Sequence, residues 1–433
     1  MSPTAIALLG ILLMFILMML RMPVGFAMLF AGFLGFSFFV SPGAAYSMLS
    51  TDLWGSLASY GLSVIPMFVF MGQLAFRSGV TENLYSMAYK WVGNLKGGIA
   101  LTTIAASTAF AAICGSNSAT AATMGTIALP QMKKYGYDPA LSTGSVAAGG
   151  TLGVVIPPSV VTIVIALQTG QPIALLFIAN IIPGLLLAAL FLLTVAFVCM
   201  KNPEIGPAGP KTTFREKIAS LPGVLETLIL FLLVIGGLYA GWFTPTEAGA
   251  AGSFGALIIA LLQRKLDLKS FIQAVTDTLR TSAMVIMLIA GAVVFGRFLT
   301  VTRFPFMLAE WAAALPVTPF LILLVVIMIY TLGGALMDAL GFLTLSIPIF
   351  FPLIVALGYD PVWYTVLITI ITTMGAITPP VGVNVFIVKG LSPENSIATV
   401  FRGAIWFMVA YLICIALMLL FPQIVLFLPN LLR

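Results

Sequence analysis

An internal repeat with an offset of 222 residues is the feature that most constrains the fold of this chain. The segment Gly136-Tyr137-Asp138-Pro139 returns as Gly358-Tyr359-Asp360-Pro361, and the pair Pro157-Pro158 returns as Pro379-Pro380. Further residues have identical partners at the same offset: Pro23 with Pro245, Pro130 with Pro352, Thr151 with Thr373, and Gly153 with Gly375. So regular a set of matches predicts that residues of about 1–222 and 223–433 are two copies of one structural unit.

Both copies belong in a membrane, because the chain carries too little charge to cover a surface that faces water. Apolar residues make up 61% of the chain and charged residues 7%, against roughly a quarter charged in an ordinary soluble protein. This composition excludes a soluble enzyme, a secreted disulfide scaffold and a disordered protein. It predicts an all-α membrane protein with many spans.

Residue types that are absent or rare exclude several kinds of functional site. The chain has no histidine, which excludes histidine metal sites and imidazole proton relays. Cys114, Cys199 and Cys414 lie far apart in apolar sequence and are interpreted as buried hydrophobes, not as a disulfide framework. The net charge of +6 is assigned to cytoplasmic loops and not to nucleic-acid binding. Without a P-loop, ATP is not expected to drive this chain directly.

Apolar runs long enough to cross about 30 Å of hydrocarbon alternate with runs that Gly, Pro and small polar residues interrupt. The unbroken runs are about 3–20, 24–40, 60–76, 181–200, 223–243, 248–263, 281–300 and 403–421. The interrupted runs are 98–132, 140–180, 317–354 and 362–390. Irregular backbone at membrane depth is tolerated only where protein covers it or a cavity borders it, so a functional site is predicted in the interrupted runs.

Residues 81–96 belong to neither kind of run. Their apolar residues recur at intervals of three and four, and Glu82, Lys90 and Lys96 interrupt them. This pattern predicts an amphipathic helix that lies along the membrane surface, with a short tilted span as the alternative.

The basic residues indicate that the second copy is inverted relative to the first. The loops 201–217 and 264–269 are both basic and are separated by two spans, so the positive-inside rule places both in the cytoplasm. Arg21 and the pair Lys133-Lys134 have uncharged counterparts in the second copy, so matched positions fall on opposite sides. The predicted topology has a periplasmic N-terminus within a first span rather than a removed signal peptide, ten crossings and two re-entrant hairpins.

This topology divides both copies into the same parts. Copy one comprises scaffold spans over 1–80, a surface arm helix over 81–96, a hairpin and broken helix over 98–180, and a span over 181–200. Copy two comprises scaffold spans over 223–263, a span and arm over 270–316, a hairpin and broken helix over 317–390, and a span over 403–421.

The hairpin tips and the helix breaks carry the chemistry. The first hairpin turns at Cys114–Ser118 and the second at Gly333–Asp338, and both broken helices change direction at Gly-x-x-x-Pro-Pro. Consecutive prolines remove backbone donors and free carbonyl oxygens, which together with hydroxyl, amide and carboxylate oxygens suit sodium. The half-helices that follow present N-terminal N–H groups, which suit a carboxylate or a sulfonate.

These features have structural alternatives. A Pro-Pro pair is often a packing kink, a Gly-Ser-Asn segment is often a turn, and Asp338 could cap the helix that returns from its tip; the matched positions in both copies favour a binding site. Glu226 and Glu247 lie near span ends and are interpreted as capping or surface residues. Arg297, late in a span, could either meet an anionic substrate or serve the structure.

Motifs along almost the whole chain resemble those of the large membrane subunit of the TRAP (tripartite ATP-independent periplasmic) transporters, the DctM-like permeases. These motifs are Arg21-Met-Pro-Val-Gly25, Cys114-Gly-Ser-Asn-Ser-Ala-Thr120, Leu129-Pro with Gly136-Tyr, Gly153-Val-Val-Ile-Pro-Pro158, Trp242-Phe-Thr-Pro-Thr-Glu-Ala-Gly249, Met337-Asp338 and Ile377-Thr-Pro-Pro-Val-Gly382. One departure is Cys-Gly-Ser-Asn at the first tip where Ser-Gly-Ser-Ser would fit the pattern. It still leaves a glycine and side-chain oxygens.

The resemblance implies an elevator-type fold like that of the ion transporter superfamily, in which a domain of hairpins and broken helices slides against a scaffold. It implies sodium-coupled uptake of a small organic anion across the bacterial inner membrane. The implied partners are a small four-helix membrane subunit, a periplasmic substrate-binding protein and membrane lipids, with neither an ATPase nor nucleic acid.

The resemblance also carries binding residues onto this chain, and no catalytic ones. Sodium site one is expected at Gly115, Ser116, Asn117, Ser118, Gly153, Ile156 and Pro157. Sodium site two is expected at Gly333, Gly334, Asp338, Thr373, Gly375 and Thr378. The substrate is expected between the tips, at Ser116, Asn117, Pro158, Ser159, Pro379, Pro380 and Asn384.

Three other functions compete with this one. A stand-alone elevator symporter would need no binding protein and no small subunit. An intramembrane enzyme would need a nucleophile with a base or a pair of acids in the apolar region, which the sequence does not offer. A channel would be expected to show rings of like residues, and none is evident.

Overall fold

The computed structural model describes residues 2–431, and within this range all regular secondary structure is helical, with no strand. Nine of the described helices are long and apolar enough to cross a membrane, and four more are apolar but shorter. The predicted all-α, multi-pass architecture with two hairpins and two broken helices is confirmed.

The first copy folds into ten helices. They are α1 Pro3–Met19, α2 Val24–Phe39, α3 Pro42–Leu57, α4 Val64–Arg77, α5 Val80–Val92, α6 Gly98–Cys114, α7 Asn117–Lys134, α8 Pro139–Val155, α9 Val160–Thr169 and α10 Ile173–Lys201. A linker over 202–221, which contains the short helix α11 Phe214–Ala219, leads to the second copy.

The second copy begins with α12 Pro222–Phe231, a π-helical segment Leu232–Gly236 and α13 Gly237–Tyr239, which together form one membrane-length rod. The remaining helices are α14 Pro245–Leu262, α15 Leu268–Val301, α16 Phe304–Ala314, α17 Pro319–Leu336, α18 Ala339–Ala356, α19 Pro361–Gly375, α20 Val383–Leu391, α21 Ile397–Leu420 and α22 Gln423–Leu431.

The helices of the two copies correspond at the offset of the sequence repeat. Hairpin one (α6 and α7) corresponds to hairpin two (α17 and α18), and α7 and α18 have bounds that differ by 222 at both ends. The broken helix α8–α9 corresponds to α19–α20. One departure is that α3 and α4 are separate helices, whereas their counterpart α15 is one helix of 34 residues.

Some predicted bounds were wrong. Helix α3 was not predicted, because Ser, Thr and Asp residues lower the hydropathy of 42–57. Helix α15 begins at 268, close to the start of 270 expected for the span and arm, and extends well before the apolar run 281–300 because Asp267 caps it and its first turns carry charge. Helix α10 begins at 173 and not at 181, and the terminal helix α22 was also missed.

The arm helix forms at Val80–Val92 and is amphipathic, as predicted. Its apolar residues Leu84, Tyr85 and Ala88 are buried, and the helix packs on α6 and α12. The apolar face of the arm helix is therefore covered by α6 and α12.

The two copies interlock at their broken helices. Hairpin one packs on α8 and hairpin two packs on α19, but the second half-helices cross over, with α9 against α18 and α20 against α7 and α8. Gln168 of α9 donates to the carbonyl of Thr344 at 3.3 Å, and Asn384 of α20 donates to the carbonyl of Ala147 at 3.0 Å. Each copy thus contributes a half-helix to the hairpin of the other copy.

Candidate transport site between the two hairpin tips

The first tip is a tight polar turn. Helix α6 ends at Gly115, whose φ of 65° lies in the left-handed region that glycine adopts at low cost. Ser116 then caps α7, since its Oγ accepts from the N–H of Ala119 at 3.4 Å. The hydroxyl of Thr120 donates to the carbonyl of Ser116 at 2.7 Å and holds the turn in place.

Asn117 is the side chain at this tip with hydrogen-bonding capacity to spare. It is 5% exposed, and its Oδ1 accepts from the N–H of Ser118 at 2.9 Å. This bond fixes the orientation of the amide. The Nδ2 group is then buried without a partner among the described residues. An unpaired buried donor is costly, and an anionic oxygen would satisfy it.

The first helix break lies directly against this tip. Helix α8 ends in extended backbone at Ile156, followed by the Pro157–Pro158 peptide, which is cis. Gly153 lies so close to the carbonyl of Ser116 that a Cβ atom there would overlap with it. A Cβ atom on Gly115 would lie 2.9 Å from the carbonyl of Pro158.

The second tip is built in the same way from different residues. Helix α17 ends before Met337 in extended backbone, and Asp338 caps α18, with its Oδ2 accepting from the N–H of Leu340 at 3.1 Å. Gly375 of the second break lies against the backbone of Gly334, and a Cβ atom on Gly334 would be 2.5 Å from the carbonyl of Thr372.

Both tips line one central cavity of about 480 Å³. Tip one contributes Cys114–Ser118, and tip two contributes Asp338 and Leu340. The opposite wall comes from α4 and α15, with Val69, Gly72, Gln73, Phe76, Arg77, Asp277, Thr281, Met284 and Val285. The size is in the range of small-molecule binding sites.

The residues expected to bind sodium are only partly brought together. Ser116 meets Gly153, Gly115 meets Pro158, and Gly334 meets Gly375, so each tip contacts its own break. Gly333 instead packs against the ring of Phe342. The hydroxyls of the two expected threonines both donate to carbonyl groups of α19, Thr373 to Thr369 at 2.6 Å and Thr378 to Met374 at 2.8 Å.

Ile156 and Pro157 line a different cavity. It has about 290 Å³ and an apolar lining from α6, α10 and α12. Of the other expected members of sodium site one, Gly115–Ser118 line the central cavity, and Gly153 lies behind them against Ser116.

The residues expected to bind substrate divide in the same way. Ser116 and Asn117 line the central cavity, whereas Pro158 and Ser159 are buried beside it and outside its lining. Pro379 and Pro380 are exposed, and Asn384 is buried with its amide bonded to the carbonyl of Ala147. These last three are not positioned to touch a molecule in this cavity.

The cavity also contains a charged group that the sequence did not predict. Arg77 ends α4 and pairs with Asp277 of α15, with Nη2 and Oδ2 2.7 Å apart. Its Nη1 donates to the Oε1 of Gln73, one turn earlier, at 2.6 Å. The spacing of Gln73 and Arg77 on one helix face was the available signal, but Asp277 is distant in sequence.

The other charges considered from the sequence have structural roles. Arg297 pairs with Asp52 of α3 at 3.1 Å, away from the central cavity, and Asp52 is 8% exposed. Glu247 closes a capping box with Thr244, and Glu226 accepts from Gln263 at 2.6 Å. The cysteines are buried and unbonded to one another, as predicted.

The chemistry of this site is that of binding. Among residues 2–431 no group of three His, Cys, Asp or Glu side chains could hold a metal. What converges on the cavity is a set of hydroxyl and amide groups, one carboxylate at the tip of hairpin two, and an ion pair on the facing wall. Such a set can bind and release a small polar solute.

Comparisons with known proteins identify the class. A solved transporter, YdaH of Alcanivorax borkumensis, superposes with a TM-score of 0.64 and 16% sequence identity over 88% of this chain and 90% of its own, which shows a shared fold. The chain thus has the fold of a multi-pass membrane protein.

A family model described as the DctM component of the tripartite ATP-independent periplasmic transporters matches residues 11–424. The chain belongs to this family, as its motifs predicted. It is therefore a membrane transporter and not an enzyme, and membership of the family implies the inner membrane.

Similar proteins include permeases named for three kinds of solute. The C4-dicarboxylate TRAP transporter large permease of Pseudomonas aeruginosa is 34% identical over 88% of this chain and 89% of its own length. The sialic acid large permease of Vibrio cholerae is 30% identical over 95% of both chains. The isethionate permease of Oleidesulfovibrio alaskensis is 34% identical over 78% of this chain and 53% of its own length.

Proposed function

We propose that this chain carries a small organic anion into the cell, coupled to sodium, through the central cavity between its hairpin tips. The observation that carries the proposal is that Asn117, which lines a cavity of about 480 Å³, has a buried Nδ2 donor without a partner among the described residues. A carboxylate or sulfonate oxygen would satisfy this donor, and Ser116 beside it adds a hydroxyl. Both residues were expected to bind substrate.

The chemistry of the named relatives supports an organic anion. C4-dicarboxylates and sialic acid carry carboxylates, and isethionate carries a sulfonate. All three present anionic oxygens, two in a planar carboxylate or three around a tetrahedral sulfonate, and all would fit in a cavity of this volume. We infer the anionic class from them and leave the particular solute to experiment.

Sodium is proposed as the co-transported ion. At site one the carbonyl oxygen of Ser116 approaches Gly153, and that of Pro158 approaches Gly115. At site two Asp338 lines the cavity, and Gly334 of the same tip lies against Gly375 of the break. Oxygen ligands of this kind suit a hard cation. Since the Oδ1 of Asn117 is occupied by Ser118, Asn117 fits the substrate better than the ion.

An elevator movement is the proposed mechanism, with hairpins and broken helices moving against the remaining spans and with the N-terminus in the periplasm. The interlocked half-helices α9 and α20 support it, because they join both hairpins into one body. As the large permease of a tripartite system, the chain works with a small membrane subunit, proposed to have four helices, and a periplasmic binding protein that delivers the solute.

Uptake into proteoliposomes tests the proposal. The chain is reconstituted with its small subunit and its binding protein, added singly and together, under an inward sodium gradient with choline as the control. Succinate, sialic acid and isethionate form the first panel. We expect uptake of one of them only with sodium and all the components.

Each other outcome changes a specific part of the proposal. Uptake by this chain alone would support a stand-alone symporter. Equal uptake in choline would contradict sodium coupling. Failure to transport any member of a wider set of carboxylates and sulfonates would contradict the organic-anion assignment.

A further inference from the structure

The wall of the central cavity that faces the tips carries an ion pair, Arg77 with Asp277, which the proposed transport chemistry does not use. The side chain of Arg77 is 13% exposed and that of Asp277 is 31% exposed. Both residues line the same cavity as Asn117 and Asp338. Arginine is the side chain best suited to a carboxylate or sulfonate, because its planar guanidinium donates in a fixed fork.

The guanidinium of Arg77 keeps part of its donor capacity. It carries five N–H donors, and among the described residues it donates one hydrogen bond to Gln73 and one to Asp277. Its position over the ring of Phe76, with 5.5 Å from Cζ to the ring centre, stabilises the charge independently of Asp277. The guanidinium would therefore remain ordered if Asp277 withdrew.

Asp277 is placed to withdraw. It is more exposed than its partner, so water can solvate its carboxylate when the pair opens. Exchange of one carboxylate for another on the same guanidinium conserves the number of charged hydrogen bonds. A bound solute anion could thus replace Asp277 without leaving Arg77 unpaired.

We propose, on the basis of the proposed function, that Arg77 is a binding residue for the solute anion and that Asp277 is its internal competitor. In the empty cavity Asp277 holds Arg77. When the solute leaves the hairpin tips, its anionic group takes the place of Asp277, and the return of Asp277 to Arg77 then expels the solute.

The position of the pair assigns this step to the cytoplasmic side. Arg77 is the last residue of α4, and Asp277 lies three turns into α15. The loop before α15 carries Arg264 and Lys265, which the positive-inside rule places in the cytoplasm. The competitor would therefore act where the solute is released, and would prevent a basic residue from retaining it.

The alternative is that this pair is a structural salt bridge that holds α4 and α15 together, since the two helices pack against each other. The molecule contains a matched control for that role. Asp52 and Arg297 join α3 and α15 at 3.1 Å and do not line the central cavity. A variant that breaks this second pair perturbs helix packing and leaves the cavity intact.

The test uses the solute that wild-type proteoliposomes transport and measures its half-saturating concentration from the cytoplasmic side. We expect Arg77→Gln to raise this concentration by about tenfold, the loss of one charge-assisted contact. Asp277→Asn is expected to lower it by about fivefold and to slow turnover, because the anion is retained. Asp52→Asn is expected to leave it unchanged.

The swap Arg77→Asp with Asp277→Arg separates the two roles further. If the pair were only a structural salt bridge, the swap would restore it and with it the wild-type half-saturating concentration. Asp277→Asn would then change that concentration in the same direction as Arg77→Gln. Either result overturns the proposal. If the swapped chain does not fold, as judged by its melting in detergent, the opposite directions expected for Arg77→Gln and Asp277→Asn still decide.

A binding measurement keeps this test distinct from that of the proposed function. The melting temperature of the purified chain is recorded in sodium with succinate, sialic acid or isethionate. Stabilisation that Arg77→Gln abolishes and Asp277→Asn enhances supports the anion site even if wild-type transport fails. Absence of stabilisation in the wild type, or equal stabilisation in all variants, overturns it.

Discussion

Hairpin one is enclosed by protein, whereas hairpin two exposes one side of its first helix. Helix α6 is buried along most of its length, under α5, α8, α10 and α12. Helix α17 packs on α19 and leaves a row of large apolar side chains exposed: Phe320, Leu321, Leu324, Val325, Met328, Leu332 and Leu336. The two hairpins share a backbone design but not an environment.

The bases of the hairpins differ for the same reason. At the base of hairpin one, the hydroxyl of Tyr137 donates to the carbonyl of Pro207 at 2.8 Å and accepts from the N–H of Ile99 at 3.0 Å. Its repeat partner Tyr359 instead stacks on Trp363, with ring centres 5.6 Å apart. The linker between the copies covers the base of the first hairpin, so the hydroxyl of Tyr137 can join the linker to that hairpin.

The tips differ in chemistry as well. Tip one offers hydroxyls and the free amide of Asn117, whereas tip two offers the carboxylate of Asp338. Side-chain donors suit an anion and a carboxylate suits a cation, so the side chains of the two tips favour different ligands, while backbone carbonyls at tip one are proposed to bind sodium as well. The backbone of the two tips has kept the same shape, because each tip must still pack against the break of its own copy.

The contact between tip and break gives the largest expected effect. Gly153→Ala and Gly375→Ala would each place a methyl group into the backbone of the facing tip. We expect each change to lower uptake at least tenfold and to destabilise the fold by about 1–3 kcal/mol, as overpacking does. Uptake and melting in detergent measure the two effects.

Gly390→Ala is the matched control, since a Cβ atom there meets nothing within 4 Å. Loss of uptake in only one of the two test variants would show that the tips do not contribute equally. Normal uptake in both would contradict the proposed role of the tip contacts.

Exchange of the two tip side chains gives a smaller and more selective effect. Asp338→Asn is expected to raise the half-saturating sodium concentration several-fold while Asn continues to cap α18. Asn117→Asp is expected to raise the half-saturating solute concentration instead, because it sets a carboxylate against the anion. Uptake measured across sodium and solute concentrations separates the two.

Asp360→Asn, at the cap of α19 and outside the central cavity, controls for the substitution itself. If Asp338→Asn left the half-saturating sodium concentration unchanged, the role of Asp338 would be limited to capping the N-terminus of α18. If both variants shifted the same constant, the division of labour between the tips would be wrong.

The sequence was most informative where local physics decides. Pro157-Pro158 and Pro379-Pro380 end helices wherever they occur, and the offset between them predicted both breaks and both hairpins. The pairing of each tip with its own break was expected from the family resemblance, and the contacts of Gly153 and Gly375 agree with it. The ligand positions remain predictions.

What the sequence could not predict depends on distant partners. Helix α3 is too polar to be recognised as a span, and it is held by packing on α2 and α15 and by the pair of Asp52 with Arg297. The ion pair in the cavity joins residues 200 positions apart. Neither pairing leaves a periodic or local signal, so neither is visible in a single sequence.

The smallest expected effect concerns the bases of the hairpins. Tyr137→Phe removes one donor and one acceptor, and it leaves the carbonyl of Pro207 and the N–H of Ile99 without that partner. We expect a loss of about 1–2 kcal/mol in the free energy of unfolding, seen as a lower melting temperature in detergent. Tyr359→Phe keeps the ring that stacks on Trp363 and is expected to change stability by less than about 0.5 kcal/mol. Equal melting of the two variants would mean that the linker does not fasten hairpin one, and that its enclosure comes from packing alone.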